Sequence, residues 1–488
     1  MPVQAGAVAR VLGIEETFVD LRDGAVQFLP MQIGVIGQGT SDASYSTDPV
    51  TVNSASEVGK QFGFGSPLHL AVRELFPTSG RGVGIIPVKI FPVEEDSGAT
   101  PSSGDISFDG EATENASVQI LVNNIASERI TVEEGDTDAD IAPKVEDAIN
   151  AVLEIPVTAS EDAGTVTVES KWAGDSANDI VLDVEGEADG VEFVFTQPDG
   201  GATNPDIQPA LDEIGDRWIT LIVNTLNPGD DDALDKLEAA GEGRWDPLKR
   251  RPFVAVVGNN AVEVSDATQH TEDRQETDRV NCQLTAPGSD DLPLTIASAQ
   301  LVRIARVAND NPPHDYGSQQ VTRITPGRER DQWDYAERDQ AVKDGTSTIE
   351  VRNGVVHISD VVTPLAPEGE PIPPYRFVVD IIKVMNIVYN TDLVFNRPEW
   401  DGAPLIPDDQ PTTNRDAKRP KDAKAAVASL IDSLGENAII ADPEGAKETI
   451  QANIDSQNPK RLNVLYQAAL SGNTNIRAVT FEFGFLFG

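Results

Sequence analysis

The chain has 488 residues, too many for one compact core, and its 39% hydrophobic content is ample for globular domains. Lys and Arg total 37 against 81 Asp and Glu, a net charge of −44, which argues against nucleic acid because phosphate binding needs a basic surface. Cys282 is the one cysteine, which excludes an intrachain disulfide and any multi-cysteine metal site; it is expected as a small buried apolar side chain.

Residues 1–24 hold little that makes a core, and Val11, Ile14, Phe18 and Val19 fit an extended arm better than a helix. Met1–Gly13 has neither an apolar segment nor a cleavage-like site, so no secretory signal is expected. Nor does any apolar run approach the roughly 20 residues that span a bilayer. Met31–Gly37 predicts a buried strand. Ser54 with Glu57 signals one helix start, and Ser66 with Pro67 a second. Leu68, Ala71, Val72, Leu75 and Phe76 fall on one face of that second helix. Val83–Val93 predicts another strand.

Residues 96–204 change character, with 25 Asp or Glu against only Arg129, Lys144 and Lys171, a net −22. Alternation predicts strands at Ser117–Val122, Glu128–Val132, Thr165–Glu169, Asp179–Val184 and Val191–Thr196 around one helix near Ala139–Leu153. Such a segment is a strand-rich domain inserted into a loop of the first, heavily hydrated and self-repelling.

The first pattern then resumes. Trp218–Val223 and Phe253–Val257 are apolar strands around an Asp230–Ala240 helix, a βαβ unit buried on both faces. Helices near Ser265–Asn281 and Leu294–Ala308 follow. Residues 345–363 read as a hairpin turning at Asn353-Gly354. A helix at Tyr375–Phe395 carries Phe377, Ile381, Val384 and Val388 on one stripe, and Pro420 opens another that ends at Gly435. Arg477–Phe487 alternates without a slip, with Val479, Phe481, Phe483, Phe485 and Phe487 on one face. Such a strand lies in its own sheet or adds to a sheet of another chain. The expected fold class is an α/β core, a mixed sheet with flanking helices, with an inserted β-rich domain and extended N- and C-terminal arms. The arms are 1–24 and 477–488, the insertion is 96–204, and the core is 25–95 plus 205–476.

No constellation carries catalysis. Gly34, Gly37 and Gly39 are ordered G-x-x-G-x-G, not G-x-G-x-x-G, and a loop-like stretch follows where a dinucleotide fold needs a helix. Asp136, Asp138 and Asp140 begin like a calcium loop, but Ile141 stands where glycine is required. They and Asp230–Asp232 are better read as acids at helix N-termini. His69, His270, His314 and His357 lack ligand spacing. One basic island, Arg415, Lys418, Arg419, Lys421 and Lys424 with Asp416 and Asp422, has a local charge of +3 and fits a docking face for an acidic partner.

The order of these segments resembles the contractile tail sheath proteins of the Mu-like phage family. The likeness is densest in Tyr335–Pro364 (YAERDQAVKDGTSTIEVRNGVVHISDVVTP) and continues through the Tyr375–Phe395 helix, Asp442–Asn458 and Arg461–Leu465. IGVIGQG, FGFGSPLHLAVRELFP and IIPVKIFPV follow the same plan at the front, and GDTDADIAPKVEDAIN and GGATNPDI resemble the entry and exit of a strand-rich middle domain. The acidic insertion and Phe-rich terminus depart from the pattern.

The resemblance implies a structural subunit with no catalytic, cofactor or metal residues. It would polymerise as stacked hexameric rings around a tail tube and contract to drive the tube through a bacterial envelope. Its partners would be copies of itself, the tube protein, and the baseplate and tail terminator proteins, with no nucleic acid and no membrane insertion. Its place would be the virion tail, assembled in the host cytoplasm. Val11, Ile14, Phe18 and Val19, and Val479, Phe481, Phe483, Phe485 and Phe487, would be inter-subunit arm residues. Arg415, Lys418, Arg419, Lys421 and Lys424 would face the tube. The sheath of a related injection device, an acidic adhesive protein and a nucleotide-dependent enzyme stay as alternatives.

Overall fold

The computed structural model describes residues 27–367, 373 and 375–475. Both expected arms, and the terminal strand with its phenylalanines, lie outside the described residues. The described residues form two compact units, one of Phe28–Val388 with Gly472–Asn475, the other of Tyr389–Ser471 with Gln27.

The first unit is built on a nine-stranded mixed sheet. From edge to edge its strands are Gln320–Val321, Val355–Asp360, Thr346–Arg352, Asn281–Thr285, Val254–Asn259, Leu221–Asn224, Ile33–Gln38, Val88–Val93 and Val50–Val52. The six from Thr346–Arg352 to Val88–Val93 run parallel, and the outer ones are antiparallel. Every residue of Ile33–Gln38, Leu221–Asn224, Val254–Asn259 and Asn281–Thr285 is buried, as parallel strands covered on both faces must be. Helices Gln208–Ile214 and Asp231–Arg244 share a core with Ile36, Ile222 and Ala255. Helices Pro67–Leu75 and Pro293–Asp310 pack together on the other side, where Gly258 lets the backbone of Pro293 come close.

The local signals act as expected where the chain is self-sufficient. Ser54 accepts from Glu57 N at 3.3 Å, and Ser66 from His69 N at 3.2 Å. Asn353 and Gly354 take φ of 53° and 74°, the left-handed pair that a two-residue hairpin needs.

Three expectations are corrected. The strand expected at Val83–Val93 begins only at Val88, because Val83–Ile86 closes a turn before Pro87. The helix expected through Asn281 ends at Glu272, and Asn281–Thr285 is a strand. Its alternate side chains are polar yet buried: Asn281 donates to Leu234 O at 3.0 Å, Gln283 to Ala267 O at 2.7 Å, and Thr285 to Ser347 O at 2.7 Å. Those distant acceptors are what permit burial. The stripe expected on the long helix is not the buried face: Phe377, which precedes the helix Val378–Phe395, and Val384 and Val388 on it are only half-buried, whereas Ile381, Ile382, Lys383, Met385 and Asn386 are buried.

Between Pro101 and Asp199 lie two antiparallel sheets and one helix. Val191–Asp199, Pro101–Gly110, Thr165–Ala173 and Val157–Asp162 form one sheet; Leu182–Glu185, Ala116–Val122 and Ile125–Ala126, with Ile130–Val132, form the other. The helix Asp138–Asn150 buries Ile141, Val145 and Ile149 against them. Pro101–Gly110 and Val157–Asp162 escape a reading of the sequence because few of their residues are apolar.

The second unit holds the end of the long helix, a loop around Trp400, the helix Pro420–Glu436 and the short helix Pro443–Glu448. Two ladders complete it, Ile440–Ala441 with Ala469–Leu470 and Gln451–Ile454 with Leu462–Leu465.

Candidate interaction surfaces

The strand Ile33–Gln38 is flanked by Val88–Val93, the next parallel strand in sequence, on one side and by Leu221–Asn224 on the other, which creates the switch point where open α/β sheets bind ligands. Here the crevice is filled. A Cβ on Gly37 would lie 2.2 Å from Thr225 Oγ1, and one on Gly39 2.7 Å from Phe62 O. Gln38 Nε2 donates to Ala173 O at 2.6 Å, so the strand-rich insertion caps the same end of the sheet. These glycines serve close packing.

The acids at Asp136–Asp140 are spent on local structure. Asp136 pairs with Lys144 at 2.5 Å, and Asp140 Oδ2 accepts from Thr137 N at 3.0 Å. Hydrogen bonds to the backbone of Glu133 and of Thr137, respectively, are the main reason each carboxyl titrates below its ordinary value. Among the described residues no group of three His, Cys, Asp or Glu is placed to hold a metal, and no helix is long and apolar enough to cross a membrane. His69 accepts from Gly65 N at 3.1 Å, and burial lowers its pKa to about 4. Burial pushes the Cys282 thiol up to about 12, which leaves it inert.

The features left for function are the roots of the two chain ends, and both rest on the helix Val378–Phe395. Asn386 Oδ1 accepts from Leu29 N at 2.8 Å. One turn on, Asn390 accepts from Gln27 N at 3.0 Å and donates to Gln27 O at 2.9 Å. Lys383 is fully buried; its Nζ donates to Asp380 Oδ1 at 2.9 Å and to Asn473 Oδ1 at 2.7 Å. Asn473 Nδ2 in turn donates to Pro313 O at 2.8 Å. A polar cavity of about 690 Å³ opens beside this anchor, lined by Asp315, Arg352, Asp360 and Gly472–Asn475. Sequence reasoning missed Lys383, Asn386, Asn390 and Asn473. The signal was available in part: Lys383, Asn386 and Asn390 recur at helical spacing among the apolar residues of this helix, which implies buried partners.

The basic island divides. Lys418 is half-buried, with Nζ 3.6 Å from Glu399 Oε2 and 5.0 Å from the centre of the Trp400 ring. Arg419 precedes the helix Pro420–Glu436; its backbone N–H donates to Asp422 at 2.8 Å and its guanidinium to Gln410 O at 3.2 Å. Arg415, Lys421 and Lys424 are exposed. The five residues thus share one segment, with two committed to its structure and three offered to solvent. In the same unit the ladder Gln451–Ile454/Leu462–Leu465 has only two strands, and neither outer edge pairs with another described strand. A two-stranded ribbon of this size is marginal alone.

No protein-family model matches the chain. Over 455 residues it is 25% identical to the Mu-like prophage FluMu tail sheath protein of Haemophilus influenzae, covering 89% of each chain, as the segment order implied. Its fold is similar to that of a chain in the contracted baseplate of the anti-feeding prophage, at a TM-score of 0.50 and 10% identity over 98% of this chain and 100% of that one. A sheath tail protein of Desulfitobacterium hafniense aligns at a TM-score of 0.47 and 10% identity, covering 94% of this chain and 100% of that one.

Proposed function

We propose that this chain is a subunit of a contractile tail sheath, polymerising as stacked hexameric rings around a tail tube and contracting to drive that tube through a bacterial envelope during genome delivery. The relation to a Mu-like tail sheath protein over 89% of both chains carries this reading. Two features of the fold support it. Anchors on one helix hold Gln27 and Leu29, which follow residues 1–26 in sequence, and Asn473, which precedes residues 476–488. The ladder Gln451–Ile454/Leu462–Leu465, whose outer edges pair with no other described strand, is the acceptor for a neighbour's strand in this reading. Val11, Ile14, Phe18 and Val19, and the Val479–Phe487 face, are the donors in this reading.

The energetics favour cooperativity. Each phenylalanine buried contributes about 1.5–3 kcal/mol, and ordering each arm residue costs about 1–2 kcal/mol. One linkage is therefore close to neutral, and a lattice of them needs a nucleus such as a baseplate. No bound nucleotide is required, because the energy resides in the metastable extended array.

Purified protein should form hollow tubules in negative-stain images, and deleting residues 477–488 should abolish them. Monodisperse monomers at high concentration and moderate salt would refute the reading. The sheath of a phage-tail-like injection device is the second reading, which the fold shared with the anti-feeding prophage chain fits equally. Nucleic acid in the native particle separates the two.

A further inference from the structure

In the first unit, the two ends of the parallel sheet differ in charge. The insertion leaves after Val88–Val93 and returns before Gln208–Ile214, and it packs where the strands end: Gln38 on Ala173, Ser41 N on Lys171 O at 2.8 Å, Asn124 on Asp291 at 2.9 Å. That end therefore carries the segment with a net charge of −22.

The opposite end, where strands begin, carries a local basic cluster beside Leu221–Asn224 and Val254–Asn259. Residues 244–251 hold Arg244, Lys249, Arg250 and Arg251 against Asp246. Arg244 donates to Gly215 O at 3.0 Å and to Arg217 O, and Arg251 donates to Asp216 O. These bonds clamp the 245–252 loop onto the turn before Leu221–Asn224. Arg217 joins the cluster close enough to help lower the pKa of Lys89, after the effect of burial. Asp212, Glu213 and Asp216 are the acids on the neighbouring turn, so the cations still outnumber them.

Leu248 is 91% exposed beside Lys249, and Ile85, in the loop before Val88, is 95% exposed. Two adjoining cavities of about 220 and 230 Å³ share Gly215, Arg244 and Lys249; Leu211, Ile214 and Phe253 line the second. The face thus combines apolar floor, exposed leucine and cationic rim in a chain of −44.

We propose that this face, centred on Arg217, Leu248 and Lys249, docks the acidic inserted domain of a second copy, head to tail. A basic patch at one end and the acidic insertion at the other make the contact heterologous, and heterologous contacts propagate into rings or open helices instead of closing as a dimer. The inference rests on the sheath reading for its biological setting, and on charge and topology for its physics. It also gives a use to the insertion's acidity, since attraction between ends offsets the repulsion between like domains.

The test uses the full chain, with and without Leu248→Asp and Lys249→Glu; both side chains are exposed, so thermal unfolding should be unchanged. Sedimentation velocity at low salt should show self-association that 0.5 M salt suppresses and that the double variant weakens about tenfold or more. Carbodiimide coupling between ¹⁴N- and ¹⁵N-labelled copies should join Lys249 to carboxylates within residues 96–204. A double variant that associates like the parent, or intermolecular couplings of Lys249 only to acids elsewhere, overturns the inference. A parent that stays monomeric overturns it together with the sheath reading. Association through this face without tubules keeps the inference and sinks the sheath.

Discussion

Replacing Lys383 tests whether the long helix anchors the C-terminal root. The ammonium is wholly buried, with Asp380 at 2.9 Å and Asn473 at 2.7 Å. Methionine fills a similar volume, so Lys383→Met opens little cavity. Each hydrogen bond to a charged group contributes about 1.5–3 kcal/mol. Stranding one partner of a fully buried pair costs about 3–5 kcal/mol, but the Asp380 side chain is 22% exposed and regains some water. The ammonium's own desolvation cost also disappears, so a net loss of about 2–3 kcal/mol is expected. Asn473→Ala removes one acceptor from Lys383 and one donor to Pro313 O, for about 2 kcal/mol. The two variants share one contact, so their double-mutant cycle should show a coupling of about 1–2 kcal/mol. Urea unfolding of the dilute chain measures all three values, and amide exchange at Gly472–Asn475 should quicken in each variant. A coupling below about 0.3 kcal/mol, or a Lys383→Met protein as stable as its parent, would refute the anchor.

Asp278 gives a pH signature. Burial pushes its carboxyl up to about 6, against donors from Asn281 and Val280. With an unfolded value of about 3.9, the folded state holds the proton more tightly, so this stabilisation is present at low pH and lost as pH rises through about 6. Asp278→Asn should therefore gain on the parent by about 2 kcal/mol between pH 4 and pH 8; a constant gap would contradict this. Charge reversal at Arg415, Lys421 and Lys424 should leave melting unchanged and prevent assembly on tail tubes. Normally sheathed tails from that variant would remove the tube-facing assignment.

What was legible in the residues was what the chain decides over a few neighbours. Ser54 and Ser66 cap their helices with side chains three residues from the amides they accept. Asn353-Gly354 turns its hairpin because both residues tolerate left-handed backbone. Val254–Asn259 announces a buried parallel strand by being almost wholly apolar. The glycines of IGVIGQG were legible as glycines, but only Thr225 and Phe62, brought in from elsewhere, show why no side chain fits.

The sequence by itself determined the local elements and the uneven spread of acid, because capping, alternation and formal charge are properties of short stretches. Tertiary structure alone decided which polar groups are buried and which charges meet. Lys383 finds Asn473 across 90 residues, and Gln283 finds Ala267 across 16. A hydrophobic pattern records one element's exposure and carries no trace of a partner supplied by another. The same holds for Arg217 and Lys249, separate in the chain and joined into one face only when parallel strands bring their loops to a common edge.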